Sequence, residues 1–308
     1  MKTTRMLAMT ATLALGAVIT SGSVLGQSSA ASGGDDEMKM MALNGLRQAD
    51  PAFAVPQIEK LLAGNSSIEL KRKALSVLGQ EDTAQAREVL ARFARGQSNL
   101  TLQGEAIHQL GIMGGSDARK TLADIYASST DSGIKRMILR SFMVAGDKDR
   151  LLSAAKDEKS ADLRGEAARQ LGMMGASDAL LQLYKTESSD EVKAQILRGL
   201  GMSGNAEAIG QIAQNDASPA MRRAAIRAME MTDGGGSEAA LTKLYGTEKD
   251  SEVRKEILKA FSMRQNARAL ISVAKTETDP ELKKYAVRQL SMMNSKEATD
   301  YLVEILNK

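Results

Sequence analysis

Gln109-Leu110-Gly111-Ile112-Met113-Gly114 decides how this chain is read, because the run comes back. Gln170-Leu171-Gly172-Met173-Met174-Gly175 repeats it, Gly199-Leu200-Gly201-Met202-Ser203-Gly204 follows, and Gln289-Leu290-Ser291-Met292-Met293-Asn294 closes the series. Taking the second residue of each run as an anchor gives Leu46, Leu78, Leu110, Phe142, Leu171, Leu200, Met229, Phe261 and Leu290, each 29 or 32 residues from the last. A near-fixed step of that size marks a solenoid of stacked helical pairs.

Working outward from the anchors, the residues eleven positions earlier are Asp35, Ser67, Asn99, Asp131, Ser160, Ser189, Ser218, Asp250 and Asp279. All have a side-chain oxygen able to accept from a free amide of a first helical turn. Pro219 and Pro280 follow their caps at the first helical position, where a missing N–H costs nothing. Four residues past the anchors stand Gly114, Gly146, Gly175, Gly204 and Asn294, with Asp50, Asp82 and Asp233 elsewhere, all suited to a left-handed stop; Gln265 breaks the pattern. Between cap and stop, apolar residues at −8, −4, −3 and 0 from the anchor fall on one stripe of a helix, here called B. A shorter helix A precedes it, marked by pairs such as Leu122 and Ile125, Leu180 and Leu183, or Leu270 and Val273. The pattern predicts about eighteen helices, from a lone B helix at Asp35 to an A helix carrying Leu302 and Ile305. Tyr126, Tyr184 and Tyr245 hold one A-helix position in alternate repeats, with Ala155, Ala213 and Ala274 between and after them. Large and small residues thus alternate along the stack, which predicts interlocked packing.

Composition agrees. Aromatics are 3% of the 308 residues, proline is limited to 4 and tryptophan is absent, a mixture that favours helix over strand. The hydrophobic content of 43% supplies a core of Leu, Ile, Val, Met and Ala. Net charge is +3, too small to imply a nucleic acid partner. With no cysteine, disulfides, thiolate nucleophiles and Cys-based metal sites are excluded. His108 is the only histidine, which excludes Ser-His-Asp triads and His-rich metal sites by count. Gly234-Gly235-Gly236 has no strand before it and reads as a loop rather than a phosphate cradle. No catalysis, cofactor or metal is expected.

Lys2 and Arg5 precede an apolar stretch from Met6 to Ile19 and a small-residue region ending at Gly26, the pattern of a secretory signal over residues 1–26. Cleavage is placed after Gly26, with Ala30 as the second site. The apolar run is shorter than the roughly 20 residues a membrane span needs, so no stable span is expected after cleavage. Residues 27–34 read as a flexible linker and 35–308 as the solenoid. The expected location is periplasmic or secreted.

A helical pair of about 30 residues with Val253-Arg254, Leu163-Arg164 or Val192-Lys193 opening helix B resembles the short HEAT-like repeats first described in phycobilin lyases. The Leu-Gly pairs at 110–111, 171–172 and 200–201, near the end of helix B, carry the same resemblance. It covers residues 35–308 and implies an all-α, right-handed α-α superhelix, while specifying function hardly at all. It further implies that the basic residue opening helix B pairs with an acid of the preceding inter-helix turn. That basic position holds Lys71, Lys135, Arg164, Lys193, Arg222, Arg254 and Lys283, with Gln103 departing. Six residues upstream lie Glu158, Glu187, Asp216, Glu248 and Glu277, but Asn65, Gln97 and Ser129 in the early repeats. The expected ladder is structural in the C-terminal half and incomplete in the N-terminal half. Among enzymes with such repeats, deoxyhypusine hydroxylases need several His-Glu pairs, helical-repeat DNA glycosylases work in the cytoplasm, and export without cysteine argues against bilin attachment.

Two sets of residues remain as candidates for function. Projected at 100° per residue, position −2 points away from the apolar stripe, toward the concave wall in the family geometry, and holds His108, Arg140, Arg169, Arg198, Arg227, Lys259 and Arg288. At roughly 10 Å per step such residues form a positive column about 60 Å long. The alternative is a solvated face whose cations pair with acids such as Glu105, Glu166 and Glu256. Met173, Met202, Met231, Met263 and Met292 stand two residues past their anchors on nearly the same projection. Methionine suits varied apolar partners, but burial beneath the next turn is the commoner fate near a helix end and is the expectation here. Copper binding is disfavoured, because repeat spacing holds the sulfurs too far apart to share an ion. The sequence therefore points to an exported scaffold for protein–protein interaction, with an acidic protein surface as the expected partner. The alternatives are an enzyme-accessory or lyase-like protein binding an anionic small molecule in the groove, and a purely structural spacer.

Overall fold

The computed structural model describes residues 27–96, 100–232 and 238–307. Among the described residues it contains eighteen α-helices and no strand. The B helices are α1 (Gln27–Leu46), α3 (Ile68–Leu78), α5 (Leu100–Met113), α7 (Ser132–Val144), α9 (Ala161–Met173), α11 (Asp190–Met202), α13 (Pro219–Met229), α15 (Ser251–Met263) and α17 (Pro280–Ser291). The A helices alternate with them as α2 (Pro51–Ala63), α4 (Ala84–Ala94), α6 (Gly115–Ser128), α8 (Lys148–Asp157), α10 (Ser177–Thr186), α12 (Ala206–Asn215), α14 (Glu238–Thr247), α16 (Ala267–Thr276) and α18 (Lys296–Leu306). Each A helix up to α16 packs on the B helix that follows it, and each B helix packs on the next B helix, which makes a two-layer solenoid. None of the helices among the described residues is long and apolar enough to cross a membrane. The proposed signal lies outside the described residues.

The helix starts follow from the caps. Asp131 accepts from the amides of Gly133 and Ile134 at 2.7 and 3.0 Å, and Asp250 and Asp279 do the same for their helices. Ser67, Ser160 and Ser189 each accept from the amide three residues on. Ser218 makes no such bond, and its helix entry is set by the fixed φ of Pro219 at the first helical position. Two expected caps differ. Asn99 lies outside the described residues, and Asp35 sits within α1, where it receives the Lys39 ammonium instead. Residues 27–34, read above as a linker, belong to that helix.

At the other ends Gly114, Gly146, Gly175 and Gly204 take φ between +65° and +77°, as the sequence predicts. Gln265 takes φ +55° at the same place despite its side chain. The reason is visible in the backbone. The anchor carbonyls of Phe142, Leu171, Leu200 and Phe261 each accept from the amide five residues on, at 2.8, 3.0, 3.2 and 2.9 Å, so the closing turn is common to all four whatever residue occupies it. Asp50, Asp82 and Asn294 do not adopt this stop; Asp50 instead caps α2 by accepting from Ala52 at 2.9 Å. Asp233 and Gly234–Gly236 lie outside the described residues.

Anchors from Leu78 to Leu290 are fully or almost fully buried, as are nearly all residues at −8, −4 and −3. In α1 only Leu43 of that set is buried and Met38 is exposed, since this helix has a B neighbour on one side only. In α18 the inward pair is Ala298 and Tyr301, not Leu302 and Ile305. The predicted alternation in the A layer holds: Tyr184 and Tyr245 are buried, Tyr126 is packed against the core, and Ala155, Ala213 and Ala274 are buried.

Successive B helices approach one another more closely than successive A helices. A double layer bends toward its shorter side, so the B helices form the inner wall. The Leu-Gly pair is what permits this. A Cβ on Gly172 would overlap the Gly199 backbone of the next B helix, and one on Gly201 would stand 2.7 Å from the Ala228 carbonyl oxygen.

The ladder also forms, with a correction to its partners. Arg164 grips Glu187 at 2.8 and 3.2 Å, Arg222 grips Glu248 at 2.8 and 2.9 Å, Lys135 reaches Glu158 at 3.0 Å and Arg254 reaches Glu277 at 2.6 Å. Each acid lies in the following inter-helix turn, not the preceding one. The acid six residues upstream offers its backbone carbonyl instead: Glu158 to Arg164 and Asp216 to Arg222, both at 2.9 Å. Tyr126, Tyr184 and Tyr245 donate to Glu158, Asp216 and Glu277, tying the A layer into the same ladder.

Candidate functional site

Because the stripe at −8, −4, −3 and 0 faces the core and position +1 meets the next B helix, positions −2 and +2 are turned past both contacts into solvent. These two positions are one helical turn apart, so each repeat presents two side chains side by side on the inner wall.

At −2, His108, Arg140, Arg198, Arg227, Lys259 and Arg288 are exposed and Arg169 is half-buried. The column divides by pairing. Arg140 and Arg169 share Glu166, at 3.2 and 2.5 Å, and Arg227 pairs with Glu256 at 2.5 Å. Burial alone would push the Glu166 carboxyl up, but Arg169, Gln170 and Arg140 hold it below the usual carboxylate range. Glu105, the third acid named from sequence, accepts from Gln109. Arg198 makes one long bond to Gln195, at 3.4 Å. Among the described residues no acid pairs with Arg198, Lys259 or Arg288, so the unneutralised charge lies toward the C-terminal end.

At +2 the expectation of burial fails. Met173, Met202, Met231, Met263 and Met292 are 40–63% exposed. The cause is the close approach at +1: where Gly172 and Gly201 bring backbones together, the next B helix covers +1 and leaves +2 beyond its edge. The column is also longer than the methionines suggest. Ile112 and Val144 hold the same position in α5 and α7 and are exposed to a similar degree. Sequence reasoning missed both by looking for one residue type; the shared offset from the anchor was the available signal. From Ile112 to Met292, seven consecutive repeats place an exposed apolar side chain one turn from a basic or histidine side chain.

A depression of about 270 Å³ lies on the wall between α7, α9 and α11. Arg136, Arg169 and Arg198 line it together with Asp162, Glu166 and Glu191. Three cations against three acids do not make a seat for an anion.

No curated protein matches this sequence. Among solved structures, the complex of CpcE and CpcF of phycocyanin lyase from Nostoc sp. PCC7120 is similar at 16% identity, covering 79% of this chain and 94% of that one with a TM-score of 0.32. A computationally designed self-assembling cyclic homooligomer is similar at 14% identity, covering 88% and 99%, with a TM-score of 0.15. HEAT repeats are matched over residues 55–142 and 206–272, half of the sequence, and helical pairs of the same kind run between and beyond these segments. This chain belongs to the HEAT repeat family.

Proposed function

We propose that the chain is an exported, non-catalytic scaffold that binds a protein partner along its B-helix wall, the partner bearing acidic and apolar groups. The observation that carries this reading is the unbroken apolar column from Ile112 to Met292 beside the basic one. Soluble proteins seldom leave a contiguous apolar patch uncovered unless something docks there. Export rests on the sequence pattern of Lys2, Arg5 and the apolar stretch Met6–Ile19. The absence of catalysis rests on a single histidine and no cysteine in the whole chain.

The test is a pull-down from a periplasmic extract of the host with three baits: the chain itself, Arg198→Glu/Lys259→Glu/Arg288→Glu, and Met202→Ser/Met231→Ser/Met263→Ser. A partner retained by the first bait and lost from both variants is the expected result. Identical retention by all three, or by none, removes the wall as the docking surface. A small molecule carried by the purified chain and lost from the charge variant would favour the enzyme-accessory reading instead.

A further inference from the structure

The apolar column is made of two chemically different parts. Ile112 and Val144 are hydrocarbon, whereas the next five repeats use thioethers, all exposed. The chain has no cysteine and no tryptophan, so its methionines are its most readily oxidised side chains. They span a range of environments, with Met40, Met113, Met137, Met143 and Met174 partly buried against the core between two extremes. Met221, Met229 and Met293 are buried in the core, while Met173, Met202, Met231, Met263 and Met292 stand in solvent at repeat spacing.

We infer that these five methionines form a reversible sulfoxidation site that switches the docking wall from apolar to polar; the inference rests on the docking reading above. The thioether sulfur attacks the distal oxygen of a hydroperoxide, the O–O bond breaks, a sulfur–oxygen bond forms and water or an alcohol leaves. Sulfur loses two electrons and the peroxide gains them. The product is a polar, chiral side chain where a hydrocarbon-like one stood. Return requires two thiols, which become a disulfide as the oxygen leaves as water. This chain holds no thiol, so the reductant must be a separate methionine sulfoxide reductase.

Placement makes this a switch rather than damage. Sulfoxide in a core disrupts packing, but none of the five methionines is a core residue, although the Met231 sulfur rests against Gly201 of the preceding B helix, and the apolar stripe that holds each B helix lies on its opposite side. Oxidation therefore alters the wall and leaves the solenoid standing. Ile112 and Val144 keep the N-terminal end of the column apolar under the same conditions.

The experiment treats the folded chain with limiting hydrogen peroxide and follows three readouts: sulfoxide at each methionine by peptide mass mapping, thermal melting, and binding of anilinonaphthalene sulfonate. That probe carries a fused-ring apolar body and one anion, matching the adjacent apolar and basic columns. The five column methionines should oxidise several-fold faster than Met221, Met229 and Met293, melting should hardly change, and probe affinity should fall at least about tenfold. Replacing all five by leucine should keep probe binding and make it insensitive to peroxide, even though Met38 and Met41, exposed on α1, still oxidise. Replacement by glutamine should lower binding without any oxidant. Oxidation of core and column methionines at one rate, loss of melting on sulfoxidation, or undiminished probe binding after complete conversion would each overturn the inference. Failure of the docking reading looks different: neither the untreated chain nor the leucine variant then retains a partner from extract.

Discussion

The two halves of the solenoid share a fold but hold their repeats together by different means. Before Ser129 the units are 32 residues apart, the ladder acids are replaced by Asn65, Gln97 and Ser129, and lateral charge pairs run between A helices. Arg92 of α4 meets Glu59 of α2, and Arg87 of α4 meets Asp117 of α6 at 3.0 Å. At least one member of each pair is well exposed, a setting where a pair contributes about 0–1 kcal/mol. Beyond Ser129 the ladder is added to such surface pairs, and its acids Glu187, Glu248 and Glu277 expose less than a tenth of their side chains. Each accepts from backbone amides of its own turn as well as from its arginine. Burial alone would raise these three carboxyls, but those bonds hold them below the usual range. The lesson is that a repeat fold needs its apolar anchors everywhere, whereas its polar ladder can be present in one half and absent from the other.

The largest effect expected is at an anchor, where the halves do not differ. Leu171→Asp places a carboxylate in a site with no access to water and no partner, and should cost more than about 4 kcal/mol. Because each repeat is supported only by its neighbours, several helices should be lost together. Circular dichroism and thermal melting report this directly; unchanged values would break the register on which every other assignment depends. Leu78→Asp should behave alike in the N-terminal half.

The ladder should separate the halves. Arg222→Ala leaves the Glu248 carboxylate without its guanidinium and should cost on the order of 2 kcal/mol. Lys71→Ala, at the equivalent position but with Gln97 in place of the acid of the following turn, removes no ion pair among the described residues and should stay within about 0.5 kcal/mol. The sign of the pH dependence follows. A carboxyl held lower in the folded state than its unfolded value of about 4.3 contributes stability above that pH, and loses it as pH falls through the folded value. The melting temperature should therefore drop below about pH 4 in the intact chain. Glu248→Gln should start lower at neutral pH and fall less steeply. Equal costs for Arg222→Ala and Lys71→Ala would erase the distinction between the halves.

Most of the architecture is legible in the sequence because one anchor, one cap and one stop recur at fixed offsets, and local physics decides each of them. What is misread depends on how neighbouring repeats meet. Arg164 has acids both six residues behind and 23 ahead; stacking of the next turn selects Glu187 and leaves Glu158 to offer its carbonyl. Met202 was expected under a turn and stands in solvent, because Gly201 rather than Met202 receives the next helix. Gln265 looked like an exception to the stop and adopts it, since the Phe261 carbonyl fixes the turn through the Asn266 amide.

The smallest effect expected divides the basic column itself. Arg198, Lys259 and Arg288 are exposed and pair with no acid among the described residues, so reversing all three to glutamate should change stability by no more than about 0.5 kcal/mol per site. Arg169 and Arg227 look the same in sequence but cover Glu166 and Glu256, whose side chains are only a tenth exposed. Reversing either one sets two carboxylates together at a sheltered site and should cost about 1 kcal/mol, the partial exposure of the arginines limiting the loss. Denaturant unfolding of the five single variants distinguishes the groups. If all five are neutral, the pairs contribute nothing and the whole column is free to meet a partner. If all five destabilise, the column belongs to the ladder's structural economy and the apolar column alone is left to carry docking.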